Sequence, residues 1–134
     1  MEILKSDNFI TIGVDLEKSM LYAKWLPMSK DISEEYFKDT NWLYVQLCEN
    51  HTLSSFLLDT TDFDFTISPT TQTWVAENIL PKLSTFGMKK VAFLVSTDFI
   101  TQMSIEQTME EKVFNFSVRY FDQSSEALNW LLGK

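Results

Sequence analysis

The sequence predicts an α/β fold with a mainly parallel five-stranded sheet, flanked by helices and opening with an antiparallel hairpin. Three observations support this prediction. Two early segments alternate between apolar and polar residues, two later segments are continuously apolar, and stretches with helical spacing separate the later strands. Strands that alternate with helices are typical of parallel sheets joined by crossovers. The predicted order is β-β-α-β-α-β-α-β-α in a single domain over residues 1–134.

The predicted hairpin covers residues 9–16 and 20–26. In both segments every second residue is apolar, which is the pattern of a strand with one buried face. Residues 17–19 provide the turn, and Pro27 ends the second strand.

Helices and strands alternate through the rest of the chain. The first helix is predicted from about Ser33 to Cys48, with Asp31 and Glu34 at the spacing of a capping box. The later elements are predicted as a strand at 56–58, a helix from Ser68 that is interrupted at Pro81 and capped at Gly87, a strand at 89–96, a strand at 117–121 and a helix at 124–132.

The helix before the last strand is predicted in two pieces. Ser104 and Gln107 have capping-box spacing, and Ile105, Met109 and Val113 repeat every four residues. This spacing predicts a helix whose apolar side faces the core.

Composition disfavours several classes of function. The net charge of −8 and the scattered basic residues disfavour nucleic acid and anionic membranes as partners. A single cysteine, Cys48, rules out an intrachain disulfide and is typical of the cytoplasm. We see no signal peptide and no apolar run long enough for a membrane helix. The oligomeric state, including a homodimer, stays open.

The sharpest catalytic candidate is the stretch Asp62-Phe63-Asp64-Phe65-Thr66. Its Asp-x-Asp-x-Thr pattern resembles the nucleophile motif of haloacid-dehalogenase-type phosphatases, in which a carboxylate attacks phosphorus beside Mg²⁺. In that family the motif directly follows an apolar strand, whereas residues 59–61 intervene here. A phosphatase-like site at Asp62 and Asp64 is therefore a remote alternative.

The same loop offers further candidates. Asp59, Asp62 and Asp64 carry oxygen ligands that suit a hard cation, although solvated carboxylates are the commoner state. Ser68 precedes Pro69 and is predicted to cap a helix by accepting from the backbone N–H of residue 70 or 71. Because a helix N-terminus favours a phosphate, Ser68 is also a candidate phosphoacceptor.

Three segments resemble the STAS (anti-sigma-factor antagonist) superfamily, and more narrowly small bacterial proteins of the SpoIIAA-like and CRAL-TRIO fold group. They are LLDTTDFDFTISPTTQTW, GMKKVAFLVS with the following MSIEQTMEE, and YFDQSSEALNWL. In anti-sigma-factor antagonists the phosphorylated serine lies nine residues after the Asp that ends the preceding strand. The same count from Asp59 reaches Ser68, but the Asp before that serine and the Gly after it are absent here.

The resemblance implies a non-catalytic interaction or regulatory module with no cofactor and no metal. It would dock a protein partner through the 60–75 loop and helix. The candidate docking or phosphoacceptor residues are Ser68, Asp59, Thr61, Asp62, Asp64, Thr70 and Trp74.

The alternative is a domain of the same fold group that binds a lipid or another small apolar ligand. This alternative is based on the aromatic and Met-rich faces formed by Trp25, Phe65, Trp74, Phe99 and Met103.

Overall fold

A six-stranded mixed sheet forms the centre of the fold. The computed structural model describes residues 1–110 and 114–134. The strands lie in the sheet in their order along the chain. The first three pair antiparallel, and all later neighbours pair parallel. They are β1 (Glu2–Ser6), β2 (Ile10–Asp15), β3 (Met20–Trp25), β4 (Ser55–Asp59), β5 (Lys90–Leu94) and β6 (Ser117–Phe121).

Within the described residues, five α-helices and one short 3₁₀ helix connect and follow the strands. They are the 3₁₀ helix Pro27–Asp31, α1 (Glu34–His51), α2 (Pro69–Asn78), α3 (Leu80–Thr85), α4 (Phe99–Met109) and α5 (Ser124–Leu131). The predicted interruption near Pro81 is confirmed, because α2 ends before Ile79 and α3 begins after it. None of these helices has the length and apolarity needed to cross a membrane.

The helices cover the two faces of the sheet unequally. Residues of α1 to α4 join one large apolar cluster with alternate strand residues such as Phe56 and Phe93. The intervening residues, such as Leu57 and Ala92, face the other way and pack against α5 in a smaller cluster. Four helices therefore cover one face, and α5 covers part of the other.

The start of α1 differs slightly from the prediction. Ser33 is the N-cap, and its hydroxyl accepts a hydrogen bond from the backbone N–H of Tyr36 at 3.0 Å. Asp31 belongs to the preceding 3₁₀ helix, so the capping box proposed for Asp31 and Glu34 is wrong. Glu34 still lies in the first turn, where the helix dipole favours a negative charge.

The start of α4 also differs. Asp98 caps it by accepting from the N–H of Thr101 at 2.8 Å, and α4 continues unbroken to Met109. Ser104 therefore lies inside the helix instead of beginning a second piece. Val113, predicted on the same apolar side, falls outside the described residues.

Strand β1 is missing from the predicted order, so the prediction of five strands is wrong. Most of β1 is exposed, and its residues do not alternate between buried and exposed positions. It pairs with β2 at Gly13, whose backbone lies against Glu2 and Ile3. A Cβ at position 13 would lie 2.8 Å from the carbonyl oxygen of Glu2. A glycine inside a strand is the one sequence signal of this close approach.

Gly13→Ala is expected to lower the free energy of unfolding by about 1–3 kcal/mol, because the added methyl overlaps a backbone oxygen. Chemical denaturation gives the energy, and amide hydrogen exchange shows whether β1 opens first. Ser125→Ala, at an exposed position of α5 away from β1 and β2, serves as the control. Equal losses in the two variants would contradict the close approach.

Candidate functional site

The loop after β4 lies at the carboxyl ends of two parallel strands. Asp59 ends β4, and the loop 60–68 runs from there to the start of α2. Thr60 ties the loop to β5, since its backbone N–H donates to the carbonyl oxygen of Leu94 at 3.1 Å and its hydroxyl donates to the same oxygen. This edge of a parallel sheet is where ligands and partners usually bind.

The middle of the loop is held from two sides by buried serines. The hydroxyl of Ser29, in the 3₁₀ helix, accepts from the N–H of Asp64 at 3.1 Å and donates to the carbonyl of Asp62 at 3.4 Å. On the other side, the hydroxyl of Ser96 donates to the carbonyl of Phe63 at 2.8 Å. These bonds fix the backbone of the loop, because a buried polar group left unpaired is costly.

Aromatic burial anchors the same segment. Phe63 is buried, and its ring centroid lies 4.6 Å from that of Trp25. Phe65 packs against Phe37 at 5.4 Å. Because side chains alternate along this extended stretch, the two phenylalanines face the core and Asp64 faces solvent.

Asp59, Asp62 and Asp64 do not form a metal-binding group. Asp59 accepts from the N–H of Thr61 at 3.0 Å. Burial and the charge of Asp59 raise the pKa of Tyr22, which belongs to the α5 face of the sheet. Asp62 and Asp64 lie in the loop itself. Within residues 1–110 and 114–134, no group of three or more His, Cys, Asp or Glu side chains is placed to hold a metal ion.

Ser68 takes part in hydrogen bonds at the start of α2. Its hydroxyl accepts from the N–H of Thr71 at 3.3 Å, as the predicted N-cap requires, and donates to the hydroxyl of Thr71 at 3.1 Å. The Thr71 hydroxyl in turn donates to the carboxylate of Glu34 at the start of α1. Ser68 therefore belongs to a chain of hydrogen bonds that joins α2 to α1.

Trp74 lies on the outer side of α2 and is half-buried. Its ring meets that of Trp42 edge to face, with centroids 5.8 Å apart, and the ammonium of Lys38 lies 5.1 Å from its centroid. Trp42 is 40% exposed. Trp42 and Lys38 are not among the residues that the sequence predicts for this site, although their spacing of four residues on α1 places them on one side of that helix.

The aromatic and methionine residues proposed for binding an apolar ligand do not line one common pocket. Trp25 is buried in the core, whereas Phe99 is 73% exposed and Met103 is 39% exposed on α4. Together with Ile100, these two α4 residues form an apolar surface next to the helix cap at Asp98.

The candidate residues therefore occupy three places. Asp59 ends β4, and Thr61, Asp62 and Asp64 lie on the fixed loop. Ser68 caps α2, and Thr70 and Trp74 lie on that helix. Comparison of the chain with models of known protein families, with curated proteins and with solved structures gave no match.

Ser29→Ala is expected to lower the free energy of unfolding by about 1–3 kcal/mol, since it leaves the N–H of Asp64 and the carbonyl of Asp62 without their protein partner. Hydrogen exchange at the Asp64 amide should accelerate well beyond the global change. The control is Ser125→Ala on the exposed side of α5. Unchanged protection of the Asp64 amide would show that Ser29 does not hold the loop.

Proposed function

We propose that the chain is a non-catalytic, cytoplasmic STAS-like module that docks a protein partner through the loop 60–68 and α2. The α/β architecture supports this proposal, because parallel strands follow one another in order and the loop leaves the carboxyl end of a central strand. Ser68 at the N-terminus of α2 has the position that the STAS resemblance implies for its regulatory serine.

The observation that carries the proposal is the pairing of the exposed Trp42 with the half-buried Trp74. The rings of Trp42 and Trp74 meet edge to face between α1 and α2, and 40% of Trp42 stays exposed to solvent. Tryptophan is enriched among the residues that contribute most to protein–protein binding, because a large rigid ring is desolvated at little entropic cost. Lys38 over Trp74 adds a positive charge at the same place.

The fixed loop supports docking of a pre-formed surface. Ser29 and Ser96 bind its backbone, and Phe63 anchors it in the core. A surface that is already ordered loses little conformational freedom when a partner binds, so more of the contact energy becomes affinity.

Charge indicates the chemistry of the partner. Asp64 is exposed and Asp62 is half-exposed on the loop, and the chain as a whole carries a net charge of −8. The part of the partner that faces this loop is therefore basic. Its association rate should fall as salt screens the opposite charges.

Ser68 provides the regulatory element of the proposal. A phosphate on Ser68 would be stabilised by the N-terminus of α2 but would add negative charge next to Thr71 and Glu34. Repulsion would break the contact between Thr71 and Glu34, which joins the two helices that carry the tryptophans. Phosphorylation therefore weakens docking.

A photo-crosslinking residue at the exposed position Thr70 tests docking in the cells that make the protein. We expect one specific protein adduct. Trp74→Ala should reduce its yield, and the affinity of the purified partner should fall tenfold or more, as expected of a buried aromatic contact. The matched control is Trp130→Ala, because Trp130 packs with the α5 cluster on the other face of the sheet.

Three results would overturn docking at this surface. They are the absence of any adduct, equal losses in Trp74→Ala and Trp130→Ala, and an adduct whose mass corresponds to two copies of this chain.

The regulatory role has a separate test with the purified partner. Ser68→Asp keeps an N-cap acceptor but places a carboxylate near Glu34, so we expect it to weaken binding more than Ser68→Ala does. Glu34→Gln should restore part of the affinity of Ser68→Asp by removing the repulsion. Equal affinities of Ser68→Asp and wild type would end the switch but leave docking intact.

A further inference from the structure

Three large apolar side chains lie exposed at the start of α4. Phe99 is 73% exposed, Ile100 is 54% exposed and Met103 is 39% exposed. Single exposed apolar residues are common on protein surfaces, whereas a contiguous apolar patch marks a place where another molecule binds. Because these residues follow one another within two turns of the same helix, they form one patch.

The outer side of α4 has the spacing of a helix–helix contact. Four of its exposed residues, Phe99, Met103, Glu106 and Glu110, are separated by four, three and four positions. Residues at this spacing pack against a facing helix in coiled coils. The opposite side of α4, which includes Ile105, is buried in the protein. We call the four exposed residues the α4 seam; its first half is apolar and its second half is acidic.

The acidic half of the seam has no basic partner among the described residues. No Lys or Arg in that part of the chain forms an ion pair with Glu106 or Glu110. The seam also forms an open depression in the surface, and its described lining contains no basic residue: Phe99, Gln102, Met103, Glu106, Gln107 and Glu110. Both carboxylates are therefore available to a positive charge from outside.

Neighbouring groups define where these carboxylates lie. The side chain of Gln102 accepts from the backbone N–H of Ser96 at 2.8 Å and donates to the carboxylate of Glu106 at 3.2 Å. Burial raises the pKa of Tyr120 on β6 to about 12, and the charges of Glu106 and Glu110 add to this shift. Both carboxylates thus act on the same neighbouring strand, and they attract a positive charge to one place.

Charge limits what can cover the patch. A second copy of the chain would place Phe99 opposite Glu110 if the two α4 helices packed antiparallel, and Glu106 opposite Glu106 if they packed parallel. Either arrangement sets a carboxylate against an apolar ring or against another carboxylate, and both are unfavourable. Nucleic acid and anionic membranes are repelled by the same glutamates and by the net charge of −8. The molecule that fits is both apolar and basic.

We propose that the α4 seam binds a basic amphipathic helix of a protein partner. Two apolar residues of that helix cover Phe99 and Met103, and Lys or Arg at its next two contact positions face Glu106 and Glu110. Amphipathic helices that lay their apolar side on an apolar surface are a recurrent form of peptide recognition. The seam lies outside the loop 60–68 and α2, so this inference does not depend on docking there.

Amide NMR titration of the full chain with two synthetic helical peptides tests the seam. The matching peptide carries two leucines and then two lysines at the four-three-four spacing on one side. The control peptide has the same composition, but its lysines lie on the opposite side of the helix. We expect the matching peptide to cause saturable shifts at residues 99–110 and to bind about fivefold more tightly than the control. Equal affinities of the two peptides would overturn the proposal.

Phe99→Ala tests the apolar half of the seam. It should weaken the matching peptide about tenfold, as expected of an aromatic side chain that is buried on binding. Leu16→Ala is the control, because Leu16 is also an exposed apolar residue but lies in the turn after β2. Both positions are exposed, so the fold should persist, and thermal unfolding is recorded for each variant. Equal losses of affinity in the two variants would contradict binding at Phe99.

Glu106→Gln combined with Glu110→Gln tests the acidic half. The double variant should bind the matching peptide about two- to tenfold more weakly at low salt and should lose most of the salt dependence of binding. Glu49→Gln combined with Glu126→Gln removes the same charge at exposed positions of α1 and α5 and is the control. The same salt dependence in both double variants would show that the seam glutamates do not bind the lysines.

A dilution series of the chain without peptide tests the remaining occupant. We expect the amide shifts of residues 99–103 to be independent of protein concentration. Shifts at these residues that grow with concentration would show that a second copy covers the patch, and they would overturn the proposal.

Discussion

The burial of Phe63 fixes the geometry of the candidate site. Its ring packs against Trp25 at 4.6 Å, and its carbonyl accepts from the buried Ser96. Because one residue of the loop is held in the core, its neighbours are held at the surface, and Asp64 receives a defined position through Ser29. An acidic loop without such an anchor would be solvated and mobile, and it would present no surface of constant shape.

Helix α1 contributes both to the proposed docking surface and to the core. Trp42 points outward and meets Trp74, whereas Tyr44 is buried and packs edge to face against Phe56 in the core. Glu34, at the start of the same helix, accepts the hydrogen bond from Thr71 that joins α1 to α2. Residues two positions apart on a helix do not share a face, so the same helix supplies both the outer surface and the core.

Short sequence patterns predict those helices and strands that depend mainly on residues close to one another in the chain. Continuous apolar residues predicted β5, Pro81 predicted the break between α2 and α3, and Ser68 with Pro69 predicted the start of α2. The sequence pattern does not reveal β1, because β1 is an edge strand without a buried face. It pairs with β2 where Gly13 lets the two backbones approach closely.

For the site, sequence reasoning identified the loop but not what holds it. Ser29 and Ser96 lie more than thirty residues from the loop carbonyls that they bind, and such contacts leave no local signal.

The backbone order of the loop, measured by ¹⁵N relaxation of the free protein, tests most directly whether the docking surface is pre-formed. We predict order parameters of about 0.85 for residues 61–67, equal to those of the helices. Values below about 0.6 would show a flexible loop and contradict a pre-formed docking surface.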